Sequence, residues 1–187
     1  MAPSRTERAT RQDAIENRGR LLAAALKVIR RDGVAVPMAT IADEAAVGVG
    51  TLYRHFAGRA ELLDELTVHS FELVLGCATD SDRPELIGRE CLRLFYLGTI
   101  DHRDQLVLPL HGGPSVLSSR ARDAQKRVHS AVRRIIARGI SDGSVRPDAT
   151  VWDVIGFGAL LAQPLQAPNW KSTGRRMAEI YLAGLSA

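Results

Sequence analysis

Apolar residues recur at three- and four-residue intervals along most of the chain, which is the periodicity of amphipathic α-helices. The first such helix is predicted over residues 13–31, and Gly33 is suited to end it. Its apolar positions are Leu21, Leu22, Ala25, Leu26, Val28 and Ile29. Three further helices are predicted close behind it, over residues 38–46, 51–56 and 59–76.

The last two thirds of the chain continue the same pattern, with Pro84 suited to a helix start and Asp148 or Thr150 suited to a helix cap. A short helix with a loop is predicted over residues 101–114. Longer helices are predicted over residues 84–100, 115–141, 149–166 and 170–185. No stretch alternates apolar with polar residues as a half-buried strand does. The pattern therefore predicts an all-α fold.

Residues 46–56, AVGVGTLYRHF, contain two glycines between two of the short predicted helices. A dinucleotide-binding loop would need a third glycine where this sequence has Tyr53, and a strand where the residues before Gly48 have helical character. A tight turn at Gly48 is the better interpretation, since a residue without Cβ lets two helices cross sharply. The sequence therefore predicts a helix-turn-helix.

The second helix of this motif is predicted to have two different faces. Leu52 and Phe56 are spaced by four residues and are expected to point into a core. The opposite face carries hydroxyls and cations that suit the phosphates and base edges of DNA, from Thr51, Tyr53, Arg54 and His55. The alternative is a core helix whose polar face has no function.

The distribution of charge favours the nucleic-acid interpretation. Residues 1–59 contain 10 Lys/Arg and 6 Asp/Glu, whereas residues 60–187 contain 15 of each, so the whole net charge of +4 lies in the first third. Such asymmetry predicts that the first third binds a polyanion. Residues 1–12 are polar and Arg-rich, and we expect them to form a flexible basic arm.

The composition limits the remaining classes of protein. With 45% apolar and 25% charged residues the chain is typical of soluble globular proteins, and no apolar run approaches the roughly 20 residues that span a bilayer. The polar N-terminus does not look like a secretory signal, so a cytoplasmic protein is expected. Cys77 and Cys91 lack a CxxC spacing and have no His cluster nearby, which predicts reduced thiols and neither a disulfide framework nor a zinc site. No cofactor is expected. A redox-sensing role for Cys91 is the less favoured alternative.

Residues 21–63 closely resemble the DNA-binding domain of TetR-family transcriptional repressors. The resemblance rests on LLAAALKVI, Gly33, IADEAAVGVGTLYRHF and GRAELL, of which GTLYRHF is the most specific part. It implies a three-helix helix-turn-helix domain over residues 13–58 and a helical ligand-binding and dimerisation domain over residues 59–187. The second domain resembles the family only in its helical pattern, its length and its two terminal helices.

The resemblance also implies which residues contact double-stranded DNA. In the family the third helix enters the major groove, residues at the positions of Tyr53 and His55 contact phosphates, and a basic residue at the position of Arg59 clamps the backbone. The DNA-binding residues expected here are Ala39, Thr40, Gly48, Val49, Gly50, Thr51, Tyr53, Arg54, His55 and Arg59.

Two positions depart from the family's pattern. Val36 and Pro37 stand where many members carry a Thr pair that caps the second helix, so Thr40 or backbone amides must take over a phosphate contact. Val49 stands where a Lys is common. The base-reading surface is therefore less polar, and a thymine methyl becomes the expected target of Val49.

TetR-like repressors are released from a palindromic operator when a small molecule binds among their C-terminal helices, and the resemblance implies the same here. A homodimer is expected through the helices of residues 149–166 and 170–185, with four apolar residues near the seam: Leu160, Leu161, Ile180 and Leu185. An apolar or amphipathic ligand is expected between the helices of residues 84–166. Its candidate contacts, each equally suited to simple core packing, are Phe71, Phe95, His102, His111, Trp152, Phe157 and Gln163.

One enzymatic alternative arises from the His-Gly-Gly sequence at residues 111–113, which resembles the oxyanion loop of esterases. A hydrolase of that kind would need a nucleophile at a strand-to-helix turn, and the pattern predicts no strand. Ser115 or Ser118 would also lack identifiable partners for a catalytic triad. The sequence therefore favours a DNA-binding regulator without enzymatic activity.

Overall fold

The computed structural model describes residues 5–108, 114–162 and 169–187. Within these residues it is built from helices and turns, without a strand, so the all-α prediction is confirmed. The described α-helices are α1 Arg5–Asp32, α2 Met38–Glu44, α3 Val49–His55, α4 Arg59–Ser81, α5 Gly88–His102, α6 Ser119–Ser141, α7 Val151–Leu161 and α8 Trp170–Gly184. A short 3-10 helix, Arg103–Gln105, follows α5. None of the described helices is both long and apolar enough to cross a membrane.

The chain divides into two compact units, Met1–Leu66 and Thr67–Ala187. The division lies within α4, whereas the sequence placed a domain boundary after residue 58. The start of α1 also differs from expectation, because residues 5–12 are helical and continue directly into the predicted first helix. The remainder of the expected arm, residues 1–4, lies outside the described residues.

The first unit closes its core with apolar side chains from α1 to α4. Burial of one such side chain stabilises the fold by about 1.5–3 kcal/mol. The largest fully buried ones are Leu21, Val28, Ile41, Leu52, Phe56 and Leu62. Gly33 ends α1 in the left-handed conformation, with φ of 87°, as its position in the sequence predicts. These contacts fix α3 on the body of the unit.

The core of the second unit is formed by α5 and α6 together with α7 and α8. Tyr96 of α5 is fully buried, and its hydroxyl donates a hydrogen bond of 3.1 Å to the carbonyl of Val154. Its ring meets the edges of Phe157 and Tyr181, which stack on each other with centroids 3.9 Å apart. Three helices are thereby joined by aromatic contacts within this unit.

Two glycines let α5 and α6 touch backbone to backbone. A Cβ atom on Gly88 would lie 2.3 Å from Cα of Gly139, and one on Gly139 would lie 2.4 Å from a methyl of Val145. Side chains at either position are therefore excluded. The turn after α6 also caps α5, since the Asp142 carboxylate accepts a hydrogen bond of 2.8 Å from the Gly88 N–H.

The helix-start predictions have different outcomes. Pro84 does not begin α5, because residues 84–86 form a turn and Ile87 is the N-cap residue. Thr150 does cap α7, and a capping box is complete: Asp153 N–H donates to the Thr150 hydroxyl, and Thr150 N–H donates to the Asp153 carboxylate. The Thr150 hydroxyl also donates to the Asp153 carboxylate at 2.7 Å, and this bond, together with the one from Thr150 N–H, holds the pKa of Asp153 below its usual value.

Candidate nucleic-acid interface

The turn between α2 and α3 has the predicted position but not the predicted geometry. Gly48 is the N-cap residue of α3 with φ of −68°, which any residue adopts, and no described atom outside its own turn lies within 4 Å of a Cβ placed there. The left-handed residue of the turn is Ala46, with φ of 54°. Gly48 is therefore not required for the crossing of the two helices, and that prediction is wrong.

The faces of α3 are as the sequence predicts. Leu52 and the following Phe56 are fully buried, whereas Tyr53 is 50% exposed and Val49 is 45% exposed. The remaining expected DNA-binding residues lie on the same unit, either exposed or half-buried. The exposed ones are Ala39, Gly48, Gly50 and Arg54, and the half-buried ones are Thr40, Thr51, His55 and Arg59. The structure thus gathers all ten residues on α2, α3 and the start of α4.

Arg54 lies along its own helix. Its Nη2 donates a hydrogen bond of 3.2 Å to the Thr51 hydroxyl, and its Nε lies 3.4 Å from the Gly50 carbonyl. Both bonds are exposed to solvent, where water competes for the guanidinium, and both acceptors are uncharged. The guanidinium can therefore leave its helix at small cost when a stronger acceptor is offered.

Arg59 has a structural contact in addition to its expected one. Its guanidinium donates to the Val34 carbonyl in the segment between α1 and α2. A guanidinium has five N–H donors, so this bond leaves donors for a phosphate. Replacing Arg59 would, however, disturb both the fold and any DNA contact.

Arg18 is a residue that the sequence analysis missed. Its guanidinium donates to the His55 carbonyl at 2.8 Å and to the Glu65 carboxylate at 3.1 Å, and it lies 4.4 Å from the centre of the Phe56 ring. A cation at the C-terminal end of α3 satisfies an orphan carbonyl and complements the helix dipole. Arg18 precedes Leu21 by three residues, on the apolar stripe of α1, and that spacing was the available signal.

The second unit contains an apolar cavity of about 200 Å³. Of the predicted ligand contacts, Phe71, Phe95 and Trp152 line it.

Two other predicted contacts lie elsewhere. His102 Nδ1 is paired with the Gln105 amide, and Phe157 stacks on Tyr181. His111 and Gln163 lie outside the described residues. Gln125 and His129 of α6 also line the cavity, and neither was among the predicted contacts, because they are polar residues on a helix with many charged ones.

The four residues predicted near a dimer seam fall into two groups. Leu160 is 57% exposed and Ile180 is 63% exposed. Leu161 and Leu185 are buried in the core of their own unit, so their assignment to a seam is wrong. The reason is the helical period, which turns Leu161 away from the surface that its neighbour Leu160 occupies.

The described residues also offer no support for esterase chemistry. Residues 139–143, GISDG, have the spacing of the nucleophile motif, but Ser141 ends α6 and is followed by a turn, whereas the nucleophile needs a strand-to-helix turn. In the described part of the chain no three His, Cys, Asp or Glu side chains converge as metal ligands do. Both cysteines are unbridged, and burial raises the pKa of Cys77 to about 11.

Comparison with known proteins agrees with the geometry of the first unit. The sequence model of the family described as "Bacterial regulatory proteins, tetR family" matches residues 21–66. The HTH-type transcriptional regulator SAB2452 of Staphylococcus aureus is 47% identical over 53 residues, which are 28% of this chain and 29% of that protein. The first unit of this chain is therefore similar to regulatory proteins of the tetR family.

Solved structures of transcriptional regulators extend the similarity of fold to both units. The TetR transcriptional regulator SCO0520 of Streptomyces coelicolor is 26% identical with a TM-score of 0.61, over 90% of this chain and 98% of that one. The transcriptional regulator FadR of Bacillus subtilis, in complex with stearoyl-CoA, is 18% identical with a TM-score of 0.69, over 89% and 98% of the two chains. The second similarity is one of fold alone.

Proposed function

We propose that this protein is a cytoplasmic repressor of the TetR family, which binds a palindromic DNA operator and is released by a small molecule. The observation that carries the DNA-binding part is the two-sided α3. Its buried side, Leu52 with Phe56, is held rigidly, and its outer side presents Val49, Tyr53 and Arg54. A rigid helix with an exposed polar and cationic face is what major-groove recognition requires.

The individual roles follow from chemistry and position. Tyr53, His55 and Arg59 contact phosphates, which sets the position of the protein on the duplex without reading sequence. Arg54 is the long donor on the outer face of α3, and it reaches a base edge after leaving Thr51. Val49 packs against a thymine methyl.

The remaining expected contacts lie at the helix starts. A Cβ on Gly48 or Gly50 would have open space around it, so the glycines leave room for a DNA backbone to approach α3 closely. Thr40 supplies a hydroxyl to a phosphate, because Val36 and Pro37 have none to offer. Ala39 is exposed beside it on α2, and Thr51 stands between Gly50 and Leu52 at the start of α3.

We expect Arg54→Ala and Tyr53→Phe to act on different properties. Arg54→Ala should relax the preference at one or two base pairs per half-site and cost about 1–3 kcal/mol on the operator, as the loss of a bidentate contact to guanine does. Tyr53→Phe should weaken binding to operator and scrambled DNA by similar factors, since a phosphate contact carries no sequence information. The measurement is a set of isotherms at several salt concentrations, on an operator selected from random DNA.

His55→Ala provides the matched phosphate variant, and Arg59 is avoided because of its bond to the Val34 carbonyl. Equal weakening of both DNAs by Arg54→Ala would contradict base reading by Arg54. Sequence preference would then rest on Val49, Thr51 and DNA shape. Binding that does not depend on salt would contradict the DNA-binding proposal itself.

A homodimer through α7 and α8 is the second element of the proposal. Leu160 and Ile180 are large apolar residues exposed on these two helices, and two copies related by a twofold axis would read a palindrome. We expect Ile180→Asp to convert the dimer into monomers at micromolar concentration, as measured by sedimentation. Ile87→Asp is the control, because Ile87 is also largely exposed, at 50%, but lies before α5. A wild-type monomer that still binds its operator tightly would overturn the dimer.

Release by a small molecule is supported by the apolar cavity of the second unit and by the ligand-bound FadR structure of the same fold. A ligand weakens operator binding only when its affinity differs between the free and the DNA-bound protein. A tenfold weakening needs about 1.4 kcal/mol of coupling.

A further inference from the structure

The walls of the cavity are apolar and come from several elements of the second unit. Phe71 of α4, Phe95 of α5 and Trp152 of α7 supply aromatic surface. The described lining contains no Asp, Glu, Lys or Arg side chain. An ionised ligand group placed among these walls would lose its hydration without gaining an opposite charge.

One side of the cavity is polar. Gln125 and His129 lie four residues apart on α6, so they face the cavity from neighbouring turns. The His129 ring stands edge-on to Trp152, with centroids 5.0 Å apart. Thr99 also lines the cavity, but its hydroxyl already donates to the Tyr96 carbonyl at 2.9 Å. An amide and an imidazole are thus the groups placed to meet a ligand.

We infer that this cavity binds an uncharged, mostly apolar small molecule whose single hydrogen-bonding group meets His129 and Gln125. The inference rests on the proposed function in taking the cavity as the effector site, and it adds the chemical class of the effector. Hydroxyl or carbonyl compounds fit this description, whereas carboxylates and ammonium ions do not.

The state of His129 supports an uncharged ligand. Burial, with a smaller contribution from the positive charge of Arg133 one turn along α6, lowers the pKa of His129. The imidazole is therefore neutral near pH 7, with one nitrogen that donates and one that accepts. A neutral imidazole can hydrogen-bond an alcohol in either direction, but it gives a carboxylate no opposite charge.

The size of the cavity narrows the ligand further. A volume of about 200 Å³ is below the roughly 300–1,000 Å³ of sites for drug-sized molecules. Small aliphatic or aromatic alcohols and ketones have molecular volumes that fit this cavity.

The test compares three eight-carbon probes on the full-length protein: 1-octanol, octanoate and octylammonium. None of them absorbs light at the wavelengths that excite tryptophan. Binding can therefore be followed by the emission of Trp152 and independently by calorimetry. We expect 1-octanol to bind at least tenfold more tightly than either ion. Trp152→Phe should remove the emission change and leave the calorimetric signal, since Trp170 does not line the cavity.

Two variants locate the probe. His129→Phe keeps an aromatic ring beside Trp152 and should weaken 1-octanol by about 2- to 10-fold, the loss expected for one neutral hydrogen bond. Gly156→Leu should abolish binding by filling the cavity. Gly156 lines the cavity, and a Cβ placed there meets no described atom within 4 Å outside its own helix. Because leucine also favours a helix, this variant is expected to fold.

Octanoate or octylammonium binding as tightly as 1-octanol would overturn the inference. So would a failure of 1-octanol to bind, or binding that survives Gly156→Leu. A parallel DNA-binding measurement separates this inference from the proposed function. If 1-octanol binds in the cavity but leaves DNA affinity unchanged, the inference stands and release by a cavity ligand fails. If a charged compound binds there and releases DNA, the proposed function stands and the inference fails.

Discussion

Leu52→Ala should destabilise the N-terminal unit by about 2–5 kcal/mol, because it removes a fully buried side chain and leaves a cavity beneath α3. The effect on DNA should differ from that of a surface variant in following the fraction of folded protein, since the whole recognition face loses its support. Binding to operator and to scrambled DNA should fall together, in parallel with the fraction of folded protein. Chemical denaturation followed by circular dichroism measures the change in the free energy of unfolding.

Val49→Ala is the matched control for this prediction. Val49 lies on the same helix but is exposed, so its truncation should change stability by no more than about 0.5 kcal/mol. A loss below about 1 kcal/mol for Leu52→Ala would contradict the packing described for the first unit. Equal losses for the two variants would show that α3 has no inner side.

Gly88→Ala should destabilise the second unit by about 1–3 kcal/mol or more, because its Cβ would lie 2.3 Å from the backbone of Gly139. A backbone cannot rotate away as a flexible side chain can, so α5 and α6 would have to separate. The separation would also stretch the hydrogen bond between Gly88 N–H and Asp142. Tryptophan emission reports this change, since Trp152 and Trp170 both belong to the second unit.

Gly76→Ala is the control for the close crossing. Gly76 lies inside α4, and no described atom outside its own helix is within 4 Å of a Cβ placed there. Alanine should therefore stabilise α4 by up to about 1 kcal/mol through helix propensity. If Gly88→Ala were as stable as Gly76→Ala, the two helix backbones would not be in contact in solution.

The first unit could be predicted well from sequence because its determinants are local. Leu52 and Phe56 are spaced by one helical turn, and Gly33 ends α1 in the conformation that glycine favours. The polar face of α3 follows from the same spacing. Each of these features depends on residues only a few positions apart, which is the range over which periodicity is informative.

Features that depend on distant residues were not predictable in this way. The start of α5 is fixed at Ile87 rather than at Pro84, because the carboxylate that caps it belongs to Asp142, 54 residues from Gly88. Arg18 contacts the end of α3 across 37 residues. No local pattern contains the information that such pairs will meet.

The cavity shows the same limit. Large residues on apolar faces were reasonable candidates, and Phe71, Phe95 and Trp152 do line the cavity. Phe157 belongs instead to an aromatic stack with Tyr181, and the choice between the two surroundings depends on how α7 and α8 pack. Gln125 and His129 lie on a helix with many charged residues, so their inward orientation became visible only with the fold.

The left-handed alanine at position 46 shows that this domain is not at its stability optimum. A residue other than glycine in that conformation carries strain on the order of 1 kcal/mol. Glycine or asparagine would relieve the strain, whereas a β-branched residue would increase it. One substitution at position 46 would therefore raise the stability of this domain. The more stable domain could then tolerate a destabilising change in the residues that read DNA.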